Sequence, residues 1–399
     1  MRILILIFSI SISIYAKSYL LSSLNISKSE VIDLSTTPCS QSCLNQYLIN
    51  GEIFSFLAKY NKEVYDTDVK NKFLMYSSIF NLEKEILLDI NIAVLFPQKM
   101  IGKYALSTTK SILSYLLAKD VDFSIETFDT KNETVESMQK IINSLKEKEI
   151  KHIIAITTAN GANNLASVID ENQIVFIPTV NVRDTDINST NIYFGGIDYK
   201  AQVDRLFGFA NRKVTVLHDQ SSVSKNITNY IENKHGDSNQ TMFFKKSVKS
   251  DENFKRLIKY NRDINYATIF LNTPVISSSL ILSQLTFYEK IFHRVLSTQI
   301  NYNPLILSLT QIKDRKKLVL VNSISDISDS KIADYNKLLG SDVVYDWINY
   351  SSLLGADYMY GLITKENSSI FKEKIYNNQI HYNTKLVRPT NDKFIQIGP

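Results

Sequence analysis

From Ile90 onward the chain alternates short, uniformly apolar runs with amphipathic stretches, and no other feature constrains its fold as strongly. The runs read "INIAVLF", "VDFSIETF", "HIIAIT", "QIVFIPT", "KVTVLHD", "MFFKKSV", "YATIFLN", "RVLSTQ" and "KLVLVNS". Between them apolar residues recur at helical spacing: Ala105, Thr109, Ile112 and Leu116, then Val135, Met138, Ile142 and Leu145, then Val203, Leu206, Phe207 and Ala210, and later Val275 through Leu285. Strands that are apolar on both faces and separated by helices belong to parallel sheets covered on both sides. The chain is therefore read as α/β and doubly wound. So many strands exceed one comfortable sheet, which divides the 399 residues into two lobes. A break is expected at "NIYFGGIDYK", where Gly195 and Gly196 can absorb a sharp change of direction. The polar tail from Asn367 adds two short strand candidates, "KLVRP" and "KFIQI".

The residues ahead of Ile90 follow other patterns. Residues 1–16, "MRILILIFSISISIYA", place one Arg before an apolar run of about 13 residues. That is short of the roughly 20 needed to span a bilayer, so it reads as a cleaved secretory signal peptide. The mature chain is expected in the periplasm, with no transmembrane segment. Residues 17–88 carry helical periodicity, with Leu44, Leu48, Phe54 and Leu57 on one stripe and Phe73, Tyr76, Ile79 and Phe80 on another. They are expected to form a helical hairpin, with the Asp66 to Asp68 stretch capping its second arm. The only cysteines, Cys39 and Cys43, read as a disulfide in an oxidising compartment, provided the chain departs from a regular helix between them. Two thiolates with no nearby His do not complete a zinc site, and a redox pair would be spaced C-x-x-C.

Charge and motifs exclude several function classes. Lys plus Arg number 45 against 40 for Asp plus Glu, and removing Arg2 with the leader leaves an excess of four, too small to indicate nucleic acid. "KDRKK" at 313–317 reads as a solvated turn. No G-x-G-x-x-G, Walker loop or G-x-S-x-G elbow is present. The five His show no metal-ligand spacing, and Asp326, Asp329 and Asp334 follow helix-cap logic. His218 beside Asp219 is open to an acid/base role, but reads more simply as a polar strand end. No catalytic residue, metal or cofactor is assigned.

What recurs is small polar residues at the carboxyl ends of strands, where open α/β sheets hold ligands. After "HIIAI" come Thr157, Thr158 and Asn160, whose hydroxyls and helix-start N–H groups can hold a carboxylate or another polar group. After "QIVFI" come Thr179, Asn181 and Arg183; after "KVTVL", His218 and Asp219; after "YATIF", Asn272. Each loop alone would use such residues as caps, and their convergence on one cleft is what suggests a shared site.

The succession "IAVLFPQKMIGKYA", "FSIETFDTKNETVESMQKIINSL", "IIAITTANGANNLASV", "NIYFGGIDYKAQVDRLFGFA", "KVTVLHDQSSVSKNI" and "GADYMYGL" resembles the type I periplasmic binding proteins over about three quarters of the chain. The resemblance implies two lobes joined by three crossovers and hinged around a ligand. Mapped onto this chain, lobe one comprises 90–196 plus 300–362 and lobe two 197–299 plus 363–399. Pro97 to Tyr104, including Gln98, would rim the cleft opposite Thr157, Thr158 and Asn160. Two features common in the transport binders are missing: an aromatic in the loop "HDQSS" and an acidic residue in "LNTP". The helical segment ahead of the lobes is also similar in layout to lipoprotein activators of peptidoglycan synthases. Two readings follow. One is a non-enzymatic binder of a small polar ligand serving a permease or sensor. The other is an envelope interaction protein with a vestigial cleft, whose partner docks on a face bearing Phe54, Phe56, Phe73 and Tyr76.

Overall fold

The computed structural model describes residues 31, 33, 37, 39–60, 66–80, 82, 90–236, 241–249, 253–365 and 369–398. The leader at 1–16 lies outside them. The chain forms two compact units, Met1–Leu87 and Leu88–Pro399.

Among its described residues the first unit holds three helices rather than two: α1 (Gln41–Asn50), α2 (Ile53–Lys59) and α3 (Thr67–Ile79). The expected first arm is split by Gly51, whose left-handed φ of 71° ends α1. Asp66 caps α3, its Oδ1 accepting the N–H groups of Asp68 and Val69 at 2.9 and 3.3 Å. Leu44, Phe56, Leu57, Val69 and Phe73 form the core, with the Tyr60 ring stacked on Phe73 at 4.0 Å. Two residues of the expected docking face, Phe56 and Phe73, are therefore interior, while Phe54 is exposed. Cys39 and Cys43 are bridged, with Cα atoms 5.5 Å apart. The departure from helix lies at the first of them: Cys39 precedes the N-cap Ser40, and Cys43 sits in the first turn of α1.

The second unit contains two seven-stranded sheets. The first comprises β1 (Ile90–Phe96), β2 (Phe123–Asp129), β3 (His152–Ala155), β4 (Ile174–Ile177), β5 (Ile192–Phe194), β11 (Lys374–Tyr376) and β12 (Gln379–His381), in the order β11-β12-β5-β4-β3-β1-β2. The second comprises β6 (Lys213–His218), β7 (Met242–Ser247), β8 (Thr268–Asn272), β9 (Arg294–Ser297), β10 (Leu318–Asn322), β13 (Lys385–Pro389) and β14 (Phe394–Gln396), in the order β14-β13-β10-β9-β8-β6-β7. Pairing is parallel except for β11 with β12, β10 with β13, and β13 with β14. Both sheets thus follow the same doubly wound order, and each reverses direction beside its first strand, at β1/β3 and β6/β8.

The apolarity of the central strands follows from cover on both faces. On β1, Ile92 and Val94 pack toward α4 (Gln98–Lys119), α13 (Ser330–Leu339) and α14 (Trp347–Thr364). Ala93 and Leu95 pack toward α5 (Val135–Glu147) and α6 (Ala159–Ala166). In the second sheet, Val214 and Val216 meet α7 (Tyr199–Phe207) and α8 (Ser222–Gly236). Leu217, Ile269 and Leu271 meet α9 (Phe254–Lys259) and α10 (Val275–Phe287), and the short α11 (Leu305–Leu309) and α12 (Ile312–Arg315) pack beside α10.

Two boundaries differ from expectation. β10 pairs with β9, so the chain stays in the second sheet until Asn322 instead of leaving it near residue 300. The hairpin β11–β12 joins the first sheet beside β5, so the final crossing falls after His381 rather than near 363. Neither short hairpin strand carries a strong apolar run, which is why pattern alone misplaced this segment. The glycine pair also acts differently. Neither has a positive φ. A Cβ on Gly195 would lie 2.2 Å from Ser351 Oγ and 2.6 Å from Phe176 Cζ, and one on Gly196 would lie 2.2 Å from the Val180 carbonyl carbon. Both positions need glycine for close approach, not for an unusual turn.

The three crossing segments are pinned together by polar side chains. Tyr382 and Ser351 hydroxyls both donate to the Gly195 carbonyl, the latter at 2.8 Å. Gln379 and Asn181 amides donate to Gly196 O, each at 3.0 Å. Buried Gln202 donates to Ser323 Oγ at 2.8 Å, and that hydroxyl contacts Thr384 Oγ1 at 3.3 Å.

Two outcomes are expected. Gly195→Ala lowers the unfolding free energy by about 1–3 kcal/mol because Ser351 and Phe176 must yield, whereas Gly102→Ala, with open space around it, is near neutral; urea denaturation distinguishes them. Reducing the Cys39–Cys43 bridge weakens the first unit by up to about 2 kcal/mol and leaves the second unit's melting transition in place, read by calorimetry with and without thiol.

Candidate functional site

At the carboxyl-terminal edges of the sheets a cavity of about 130 Å³ lies between the lobes. Thr179 and Asn181 line it from the loop after β4, Trp347 from the start of α14, Ile197 to Lys200 from the first crossing segment and α7, and Val223, Asn226, Ile227 and Tyr230 from α8. Both lobes therefore contribute walls. Asp346 caps α14, its Oδ1 accepting the N–H groups of Ile348 and Asn349 at 3.0 and 3.3 Å. This cap leaves Trp347 on the first helical residue, where its ring meets Tyr199 edge-on with centroids 6.3 Å apart.

Charges at the rim are mutually paired. Arg183 meets Asp198 at 2.6 Å and Lys200 meets Asp184 at 3.7 Å, both with substantial exposure. Such pairs contribute little stability. Burial raises the Tyr199 and Tyr104 phenols above their usual range, with the Asp346 carboxylate adding to both. A second interlobe contact is aromatic: Tyr345, preceding α14, lies 5.3 Å from the Tyr302 ring, which lies 4.8 Å from Phe394 of β14. Burial first, then Tyr345 and the carboxylates of Asp326 and Asp342, push Tyr302 up to about 12.

The helix starts at this edge are filled by the protein's own carboxylates. Glu133, 4% exposed, accepts from Thr158 N–H at 3.1 Å and from Thr158 Oγ at 2.6 Å. It occupies the N-terminus of α6 so closely that a Cβ on Gly161 would lie 2.4 Å from its Oε1. The turn that aims it there holds Lys131 and Glu133 at φ of 55° and 57°. That backbone costs on the order of 1 kcal/mol or more per residue, offset by two charge-assisted bonds of about 1.5–3 kcal/mol each. Pro97 cannot cap α4 with a side chain, and Asp129 takes that role from the end of β2, accepting Gln98 N–H at 2.9 Å. That bond and the one from Lys131 N–H hold the Asp129 carboxyl below the usual range. Asp198 caps α7 through Ala201 N–H at 2.9 Å, and Asp219 accepts from Ser221 ahead of α8.

The residues singled out by sequence fall into distinct groups. Thr179 and Asn181 line the cavity, although Asn181 also accepts from Arg183 N–H at 3.1 Å. Thr157 lies just beneath, its N–H bonded to Thr179 Oγ1 at 3.2 Å and its own hydroxyl buried without a partner. Thr158 is committed to Glu133 rather than open to a ligand. Gln98 and Asn160 are exposed, and Tyr104 faces the Asp346 and Tyr199 corner at 39% exposure. His218 Nδ1 lies 2.8 Å from the Asp219 carbonyl, in keeping with a strand-end role. Asn272 is a correction: fully buried, it donates to Thr228 Oγ1 at 3.0 Å while its backbone carbonyl accepts from Ser224 Oγ, so it ties β8 to α8 and does not line the cavity. Pattern reading missed Trp347, Tyr199 and Tyr230. The usable signal was the chain's single Trp placed directly after an Asp cap. Among the described residues no group of three or more His, Cys, Asp or Glu could hold a metal, and no helix is long and apolar enough to cross a membrane.

No family model and no curated protein matches the chain. Solved structures do. A putative branched-chain amino acid ABC transporter protein from Rhodospirillum rubrum aligns at 8% identity and TM-score 0.59, covering 77% of this chain and all of the other. A leucine binding protein from Thermotoga maritima aligns at 14% identity and TM-score 0.53, covering 77% and 98%. The C-domain of LpoA from Haemophilus influenzae, a regulator of PBP1A, aligns at 10% identity and TM-score 0.51, covering 77% and 100%. At these identities the likeness is one of fold, and the second unit of this chain has the two-lobed fold of the type I periplasmic binding proteins.

Proposed function

We propose that this protein is a non-enzymatic binding protein, acting outside the cytoplasm, whose lobes close on a small ligand at the cavity beside Trp347. The observation that carries this reading is the composition of the cavity wall, which needs both lobes to be complete. A ligand that touches both lobes favours the closed state through that differential contact alone. About 130 Å³ is close to the roughly 150 Å³ that accommodates a benzene-sized molecule. The ligand is therefore small. Trp347, Tyr199, Ile197 and Ile227 supply apolar walls and Asn226 a hydrogen-bonding side chain, while the side chains of Thr179 and Asn181 are bonded to Thr157, Gly196 and Arg183. Because Asp129, Glu133, Asp198, Asp219 and Asp346 already fill the nearby helix starts, the site favours a neutral or cationic ligand over a carboxylate. Handing that ligand to a permease or sensor is the role this geometry suits.

A second reading, an envelope regulator that works by contacting a protein, is favoured by the same self-filled helix starts and by the Tyr302, Tyr345 and Phe394 contact between lobes. On that reading the cavity is a remnant and the structural neighbour LpoA is the better guide.

Trp347 is the only Trp in the chain, so fluorescence excited at the red edge reports on this cavity alone. Titration with a panel of small neutral and cationic metabolites is expected to change its emission. At a hundredfold excess over Kd the ligand should add about 2.7 kcal/mol of stability, and Asn226→Ala should weaken binding at least tenfold. A panel without any response, together with a protein partner retained by the Asn226→Ala variant, would establish the second reading instead. Glu133→Ala is expected to lower stability by about 2–3 kcal/mol through loss of the two bonds to Thr158, measured by urea denaturation; an unchanged midpoint would show that the carboxylate is not holding α6.

A further inference from the structure

The outer face of α10 departs from what a helix on a covered sheet needs. Its inward residues Ile281, Leu282 and Leu285 are fully buried. Its outward stripe at i, i+4 and i+11 is also apolar, with Ile276 61%, Leu280 45% and Phe287 72% exposed. None of the 13 residues of α10 is charged. The neighbouring α11 and α12 extend the surface with Leu305 at 45%, Leu309 at 49% and Ile312 at 55% exposed. A helix that is apolar on its outer stripe as well as its inner one is ordinarily covered on both.

We infer that this face is where two copies of the chain associate. The six side chains expose on the order of 600 Å² of apolar surface, at the upper end of what single copies carry. A standard interface buries about 800 Å² per partner, a little over half of it apolar, so the patch supplies the apolar part of such an interface. Charge argues for a second copy over a different partner. In a two-fold contact each residue meets its own neighbourhood, so any charge in the patch would face its like. The sequence is uncharged over 275–288 and again over 295–312, the two stretches that build the surface.

Sedimentation velocity of the purified protein at tens of micromolar should give a species of twice the chain mass. Phe287→Asp and Leu280→Asp should each convert it to a monomer that keeps its folded circular dichroism spectrum and melts independently of protein concentration, while Leu338→Asp, exposed on α13 at 78%, should leave it dimeric. A second readout uses Gln284→Cys on α10. Since both native cysteines are bridged, this would be the sole free thiol, and mild oxidation should yield a covalent dimer. The inference is overturned by a monomeric wild type at 100 µM, whether the patch is then bare, covered by the N-terminal unit or reserved for another protein. It is equally overturned by a dimer that survives both acidic variants and gives no cross-link.

Discussion

The lobes of the second unit meet through three crossing segments, and buried polar contacts hold these segments in register. Gly195 and Gly196 present their carbonyls to four donors, from Asn181, Ser351, Gln379 and Tyr382, drawn from three separate stretches of chain. Gln202 and Ser323 add a second knot, joined to Gln299 through bonds of 2.9 and 2.7 Å. Each such bond contributes only about 1 kcal/mol net, but a broken one leaves a buried donor whose desolvation costs about 1–3 kcal/mol. The network therefore acts less as a source of stability than as a selector of one arrangement. The place of the cavity, the approach of Tyr199 to Trp347 and the meeting of Tyr302 with Tyr345 all follow from it.

A second organising feature is electrostatic. Helix starts along an α/β sheet edge are ready sites for anions, because unpaired N–H groups and the helix dipole point the same way. Here they are occupied from within, by Asp129 at α4, Glu133 at α6, Asp198 at α7 and Asp346 at α14. The protein accepts left-handed backbone at Lys131 and Glu133 to bring one of these carboxylates into place. The result is a cleft whose helix-start donors are spent on the fold, and whose walls include the aromatic rings of Trp347, Tyr199 and Tyr230.

Much of this architecture was legible in the residue pattern. Every one of the nine runs from Ile90 forms a strand; the central ones are apolar throughout because a strand covered on both faces has no position free to be polar, while the edge strands β2 and β7 keep exposed polar residues. The capping role of Asp66 and the pairing of Cys39 with Cys43 were legible for similarly local reasons. The short strands of residues 374–381 were not. Their place in the first sheet comes from pairing with β5, which their own composition does not encode. Asn272 shows the converse error, since a polar residue at a strand end looks identical in sequence whether it faces a cleft or, as here, ties β8 to α8.

The sequence by itself thus determined the alternation of strand and helix, the two-sided cover of each sheet and the staple at the N-terminal unit. All three depend on the burial of residues a few positions apart. Only the tertiary structure decided that Glu133 fills the start of α6 from 25 residues away, that Tyr382 reaches back 187 residues to Gly195, and that Trp347 faces Tyr199 across a cavity. Those contacts join distant parts of the chain, and the residues that make them differ in no local property from the many caps and core aromatics around them.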